Sequence, residues 1–91
     1  GPFVQSRAKA LAERLIREAD DDEQRIRRAF LLCFSREADA DEAKMAAAFL
    51  EQGKNLAGDE DAGGDGQQPR RRLLAAYCQA LLSTAEFRNL D

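Results

Sequence analysis

Apolar residues recur along this chain at steps of three and four, and no stretch alternates apolar with polar at a step of two. Side chains at that spacing share one face of an α-helix, and each such face must be buried against another element. The missing alternation excludes half-buried strands. The chain is therefore confined to helices packed on helices. Val4, Ala8, Leu11, Ala12, Leu15, Ile16 and Ala19 define the first stripe and predict a helix over about 2–19. Pro2 suits its first turn, where a missing amide hydrogen costs nothing, and Glu13 with Arg17 and Arg14 with Glu18 are spaced as ion pairs on its wet side.

The acidic run Asp20, Asp21, Asp22 and Glu23 resembles a cation site at first sight, but carboxylates at that position also cap the free amides of a helix and meet the positive end of its dipole. Capping is the better reading. It starts a second helix over 22–35, with Ile26, Ala29, Phe30, Cys33 and Phe34 on one stripe broadened by Leu31 and Leu32. So wide an apolar face predicts the most central helix. Asp39 followed by Glu42 has the spacing of a capping box, and Ala43, Ala46, Ala47, Phe49 and Leu50 predict a third helix over 39–53, ended by Gly53. Its alanines let a neighbouring helix approach closely.

Residues 54–68 are rich in glycine and aspartate, with little to bury, and read as a mobile surface loop. Pro69 opens a fourth helix over 69–83, with Leu74, Tyr77, Cys78, Leu81 and Leu82 on its stripe and Leu73 beside it. Ser83 and Glu86 repeat the capping-box spacing and predict a separate short turn over 84–88 that returns Phe87, and with it Leu90, to the core. The expected fold is all-α: a small bundle of four helices with a short C-terminal helical turn and one mobile Gly/Asp-rich loop, forming a single domain over 1–91.

Size and composition narrow the chemistry. A chain of 91 residues hides only about 60–65% of its unfolded surface, enough for one modest core but not for a large enclosed active site. There is no histidine, which removes Ser/His/Asp and Cys/His catalysis, His-ligated zinc and the axial ligand of c-type haem. Seventeen acidic against 14 basic residues give a net charge of −3, the wrong balance for a general nucleic-acid binder. No apolar run is long enough to span a membrane, and the first residues lack the pattern of a secretion signal, so the signal of an exported form would lie outside these residues.

Few side chains remain as candidates. Asp59, Asp61 and Asp65 alternate as calcium ligands do, but the position that should supply a bidentate glutamate is Arg70 and the fifth position is Gly63, so the comparison fails. Arg70, Arg71 and Arg72 form the densest basic cluster, with Arg25, Arg27 and Arg28 a second. Three successive helical residues point about 100° apart and make no flat patch, so pairing with the acidic loop is the better reading and an anion site the sharper one. Tyr77 is expected to pack its ring in the core, and Glu42 and Glu86 to serve as caps rather than as an acid and base pair.

Cys33 and Cys78 each fall on an apolar stripe, and two readings stand: a disulfide between the second and fourth helices, or a pair of buried free thiols acting as small apolar residues. There is no CxxC motif, which argues against thioredoxin-like catalysis. No catalytic, cofactor or metal set emerges.

Three separated blocks carry a resemblance. Pro2-Phe3-Val4 with Ala8, Ala10, Leu11, Ala12 and Arg14 is the first. The second is Arg25-Ile26-Arg27-Arg28-Ala29-Phe30 with Phe34-Ser35-Arg36, Asp41-Glu42 and Ala48-Phe49-Leu50, and the third Leu81-Leu82-Ser83-Thr84-Ala85-Glu86-Phe87. In that order they resemble the C-terminal region of domain of unknown function number 1553, a family of large exported planctomycete proteins. The sequence departs from the family pattern after Arg36, where Glu37-Ala38-Asp39 stands in place of a Pro-rich turn.

The resemblance implies a fragment of a larger protein, exported to a periplasm-like compartment or the cell surface, whose other parts often include a cytochrome c-like module with haem. It implies no activity for particular residues. The export it implies favours a bridge between Cys33 and Cys78. The expected function is a non-catalytic C-terminal module, monomeric as a fragment, which packs against the parent's other domains or a protein partner, with no nucleic acid, no membrane insertion and no cofactor of its own. The alternatives are an accessory module that completes the active site of an exported enzyme acting on polysaccharide or in haem-linked redox chemistry, and an anion-binding adaptor using Arg70, Arg71 and Arg72.

Overall fold

The computed structural model describes residues 2–59 and 68–88, and among them every regular element is an α-helix. The helices are α1 (Pro2–Glu18), α2 (Asp22–Phe34), α3 (Ala40–Asp59) and α4 (Gln68–Arg88). The chain is thus a small all-α bundle. Of the loop expected over 54–68, residues 60–67 lie outside the described residues, as does Leu90.

Local chemistry accounts for the starts and stops. At α2 the Asp21 side chain accepts a 2.9 Å hydrogen bond from the Gln24 amide, with Asp22 and Glu23 in the first turn, so the acidic run does cap. α2 stops where Ser35 adopts a left-handed conformation (φ 58°, ψ 29°) and its amide donates to the Leu31 carbonyl at 3.0 Å. The capping box is reciprocal: the Glu42 amide donates to Asp39 Oδ1 at 2.8 Å, and the Asp39 amide donates to Glu42 Oε1 at 3.0 Å. Of the two ion pairs expected on the wet face of α1, the structure closes Arg14 with Glu18 at 2.9 Å.

The core is the set of stripes read from the sequence. Val4, Ala8, Ala12, Leu15 and Ala19 of the first stripe are buried, with Ile26, Ala29 and Phe30 of α2, Ala46 and Leu50 of α3, and Leu74, Cys78 and Leu81 of α4. Phe34, Phe49, Leu73, Tyr77 and Leu82 pack against them.

Four expectations are corrected. Gly53 does not end the third helix: α3 continues to Asp59, and residues 54–59, expected in the loop, are helical. A β-carbon on Gly53 would lie 3.1 Å from the Arg70 Cα, so this glycine serves the close approach of α4 rather than a terminal turn. Nor is there a separate turn over 84–88, because α4 is unbroken to Arg88. The Thr84 hydroxyl donates to the Ala80 carbonyl one turn back (2.8 Å), a bond made within the helix, and Glu86 pairs with Arg7 of α1 instead of capping.

Phe87 consequently stays on the outside, 76% exposed, instead of returning to the core. Finally, α2 is not the central helix. Its Leu31 and Leu32 face solvent, and the broadest helix–helix contacts are those of α4 with α1 and with α3. Leucines that broaden a stripe do not specify a second contact when the next helix is seated elsewhere.

Candidate interaction surface

Between α2, α3 and α4 lies an open apolar groove of about 330 Å³. Its floor is built from small residues, Ala46 of α3 and Ala76 and Ala80 of α4; Met45, Phe49 and Tyr77 provide its walls, and Phe30 and Glu42 complete it. Ala76 and Ala80 are one helical turn apart, and so are Met45 and Phe49, which lines each pair along its own helix. The Phe49 and Tyr77 rings meet across the groove with centroids 6.3 Å apart. Met45 is 73% exposed although it faces apolar neighbours. A flexible thioether at the lip of an alanine floor can adapt to an incoming apolar side chain.

One end of the groove is fixed by charge. The Arg36 guanidinium donates twice to Glu42, at 2.8 and 2.9 Å, and once to the Glu37 carbonyl at 3.0 Å. The same guanidinium lies 5.5 Å from the ring centroid of Phe30 and 5.6 Å from that of Phe34, within cation–π range. Glu42 therefore joins a helix cap to a paired cation, and these bonds, that of Arg36 foremost, hold its carboxyl at a pKa of about 2, well below the usual carboxylate range. Burial, together with the charges of Glu42 and the two cysteines, pushes the Tyr77 hydroxyl up to about 12. Each group therefore keeps one protonation state at neutral pH.

The two cysteines are free thiols. Cys78 is completely buried, and burial raises its pKa to about 12. Cys33 is half-buried; burial raises its pKa, while the nearby charge of Arg7 works in the other direction. The thiols sense each other, since the charge of Cys33 adds to the upward shift at Cys78.

The arginine clusters do not converge. Arg70 and Arg71 line a cleft of about 310 Å³ whose other walls include Asp20, Asp21 and Asp22, whereas Arg72 opens with Arg71 onto a different depression beside Lys9 and Glu13. A mixed acidic and basic cleft is poorly suited to holding an anion on charge alone. In the second cluster, Arg25 pairs within α2 with Asp22 at 3.6 Å and donates to the Ala19 carbonyl at 3.2 Å, Arg27 pairs with Glu37, and Arg28 reaches Glu18 at 3.3 Å, so the contacts to Ala19, Glu37 and Glu18 fasten α2 to its surroundings. Among the described residues no three metal-ligating side chains converge, and no helix is long and apolar enough to cross a membrane.

Sequence periodicity locates the rings of Phe49 and Tyr77 but not the groove. Its trace in the sequence is an apolar excess beside the core stripes: Met45 one turn before Phe49, and Ala76 and Ala80 flanking Tyr77 and Cys78. No protein-family model, curated protein or solved structure matches the chain.

Proposed function

We propose that this chain is a non-catalytic helical module of a larger exported protein, and that it works by accepting one further amphipathic helix of that protein in the groove between α2, α3 and α4. The groove carries the reading. An alanine floor allows close backbone approach, aromatic and thioether walls supply contact area, and the lining is almost free of polar atoms except at the Glu42 end. Apolar anchors at i, i+4 and i+7 of an incoming helix match a trough whose floor and wall are each spaced by one turn. The larger exported context rests on the three-block resemblance to the C-terminal region of domain of unknown function number 1553.

The two titratable groups beside the groove fit this role. The carboxylate nearest the groove is tied to Arg36 and to a backbone amide, and Tyr77 holds its proton. Neither is poised to exchange a proton near neutral pH.

The test places a diazirine-bearing amino acid at Met45 in the whole polypeptide, in its native cell, with the same residue at exposed Arg17 as control. Irradiation is expected to link position 45, and not position 17, to a helical segment of the same polypeptide outside residues 1–91 that carries apolar residues at steps of three and four. Solvent adducts alone at position 45, or links to a separate protein, would overturn the proposal.

A further inference from the structure

The thiol pair is the feature that the interaction reading leaves unused. Cys33 opens onto a surface depression of about 360 Å³ lined by Arg7, Ala10, Leu11 and Arg14 of α1, Leu32 of α2 and Leu82 of α4. Leu82 lies one turn beyond Cys78 on the same face of α4, so the α4 residue beside Cys33 shares a stripe with the buried thiol. One thiol is thus reachable from solvent, and the other belongs to the core cluster against which Cys33 packs. Arg7 and Arg14 rim the mouth, each paired with a carboxylate, Glu86 and Glu18 respectively.

We infer that Cys33 and Cys78 are a redox pair, in which Cys33 reacts with a small external disulfide such as oxidised glutathione and Cys78 resolves the product into a bridge between α2 and α4. In the first step the Cys33 thiolate attacks one sulfur of the external disulfide. That S–S bond breaks, and one glutathione leaves as a thiolate that takes up the proton Cys33 gave to solvent. In the second step the Cys78 thiolate attacks the Cys33 sulfur, and the second glutathione departs and is protonated in the same way. Two protein thiols are oxidised, one external disulfide is reduced to two thiols, and no further reactant is needed. The order is fixed by access, because Cys78 has no exposed surface and cannot reach the external disulfide first.

Burial sets the rate. Both thiols are held protonated at neutral pH, so closure is slow there and speeds up by about tenfold per pH unit while the thiolate fraction is rising.

The experiment incubates the folded chain with oxidised glutathione at pH 7.0, 7.75 and 8.5 and follows intact mass and free thiols after acid quenching and unfolding. The expected course is a transient mixed disulfide at Cys33, then a monomer two hydrogens lighter than the starting chain with no titratable thiol. Cys78→Ala should stop at a stable Cys33 adduct, and Cys33→Ser should give neither adduct nor bridge while folded. A wild-type chain that keeps the Cys33 adduct with Cys78 still titratable, that forms intermolecular dimers, or that does not react overturns the inference. Wild type alone decides the matter if either variant fails to fold.

Discussion

Gly53 offers the sharpest test of the packing, because two opposing effects of known size meet there. In the middle of a helix, alanine is favoured over glycine by about 1 kcal/mol, so Gly53→Ala would stabilise α3 if nothing lay against it. In the structure the added methyl would sit 3.1 Å from the Arg70 Cα, 3.2 Å from its Cγ and 3.3 Å from Leu73 Cδ1. The closest of these is backbone, which moves only if α4 moves. Opening a packed helix pair by a few tenths of an ångström costs about 1–3 kcal/mol. Taking about 2 kcal/mol for that term against a gain of about 1 kcal/mol, Gly53→Ala should destabilise the fold by about 1 kcal/mol, or about 4–8 °C in Tm for a domain of this size.

Gly53→Val adds two more methyl carbons at the same contact and gives up part of the helix propensity of alanine, so its loss should exceed that of Gly53→Ala. The assay is thermal and urea unfolding of the three chains followed by circular dichroism at a helical wavelength. If both variants are more stable than the parent, Gly53 does not meet α4 and the reasoning fails. A fall in helicity without a fall in Tm would return Gly53 to the role of helix terminator.

Leu15 is fully buried in α1, and Leu15→Ala should cost about 3–5 kcal/mol, seen as a large drop in urea midpoint at nearly constant slope; a loss under about 1 kcal/mol would mean that the core opens easily at that point. The folded-state pKa of Glu42 is lowered from 4.5 to about 2, so the stability it contributes is complete above the unfolded value and is lost as pH falls through the folded one. Wild type should therefore converge on Glu42→Gln in urea titrations between about pH 5 and pH 2; curves that remain parallel across that range would refute the capped and paired geometry. Phe87 is mostly exposed, and Phe87→Ser should change stability by no more than about 0.5 kcal/mol, whereas a loss of about 3 kcal/mol in thermal unfolding would show that the ring packs after all.

Helix number, the buried faces and the caps were legible because each rests on short-range rules. Asp39 and Glu42 find each other across three residues, and Val4, Ala8, Ala12 and Leu15 fall on one face whatever lies opposite. The errors arose where a local sign has two physical meanings. Gly53 suits a helix end and a helix crossing equally well, and only the position of Arg70, 17 residues later, decides between them. Ser83 with Glu86 has cap spacing, yet Arg7 at the other end of the chain claims the glutamate. The groove was hidden for a related reason: Met45, Ala76 and Ala80 lie outside the core stripes, and their common surface exists only once α3 and α4 are side by side.

The seating of α4 between α1 and α3 bears on how the chain is made. Both neighbours find their broadest contact in a helix that leaves the ribosome after them. Translation at about 5–20 residues per second leaves a wait of a few seconds between the end of α3 and the end of α4, during which Leu15, Phe30 and Leu50 have no α4 stripe to close over them. A nascent chain arrested at Asp59 should thus behave as a loose set of helices open to chaperones and proteases, and compaction should come in a single step as the Leu74, Cys78 and Leu81 face emerges.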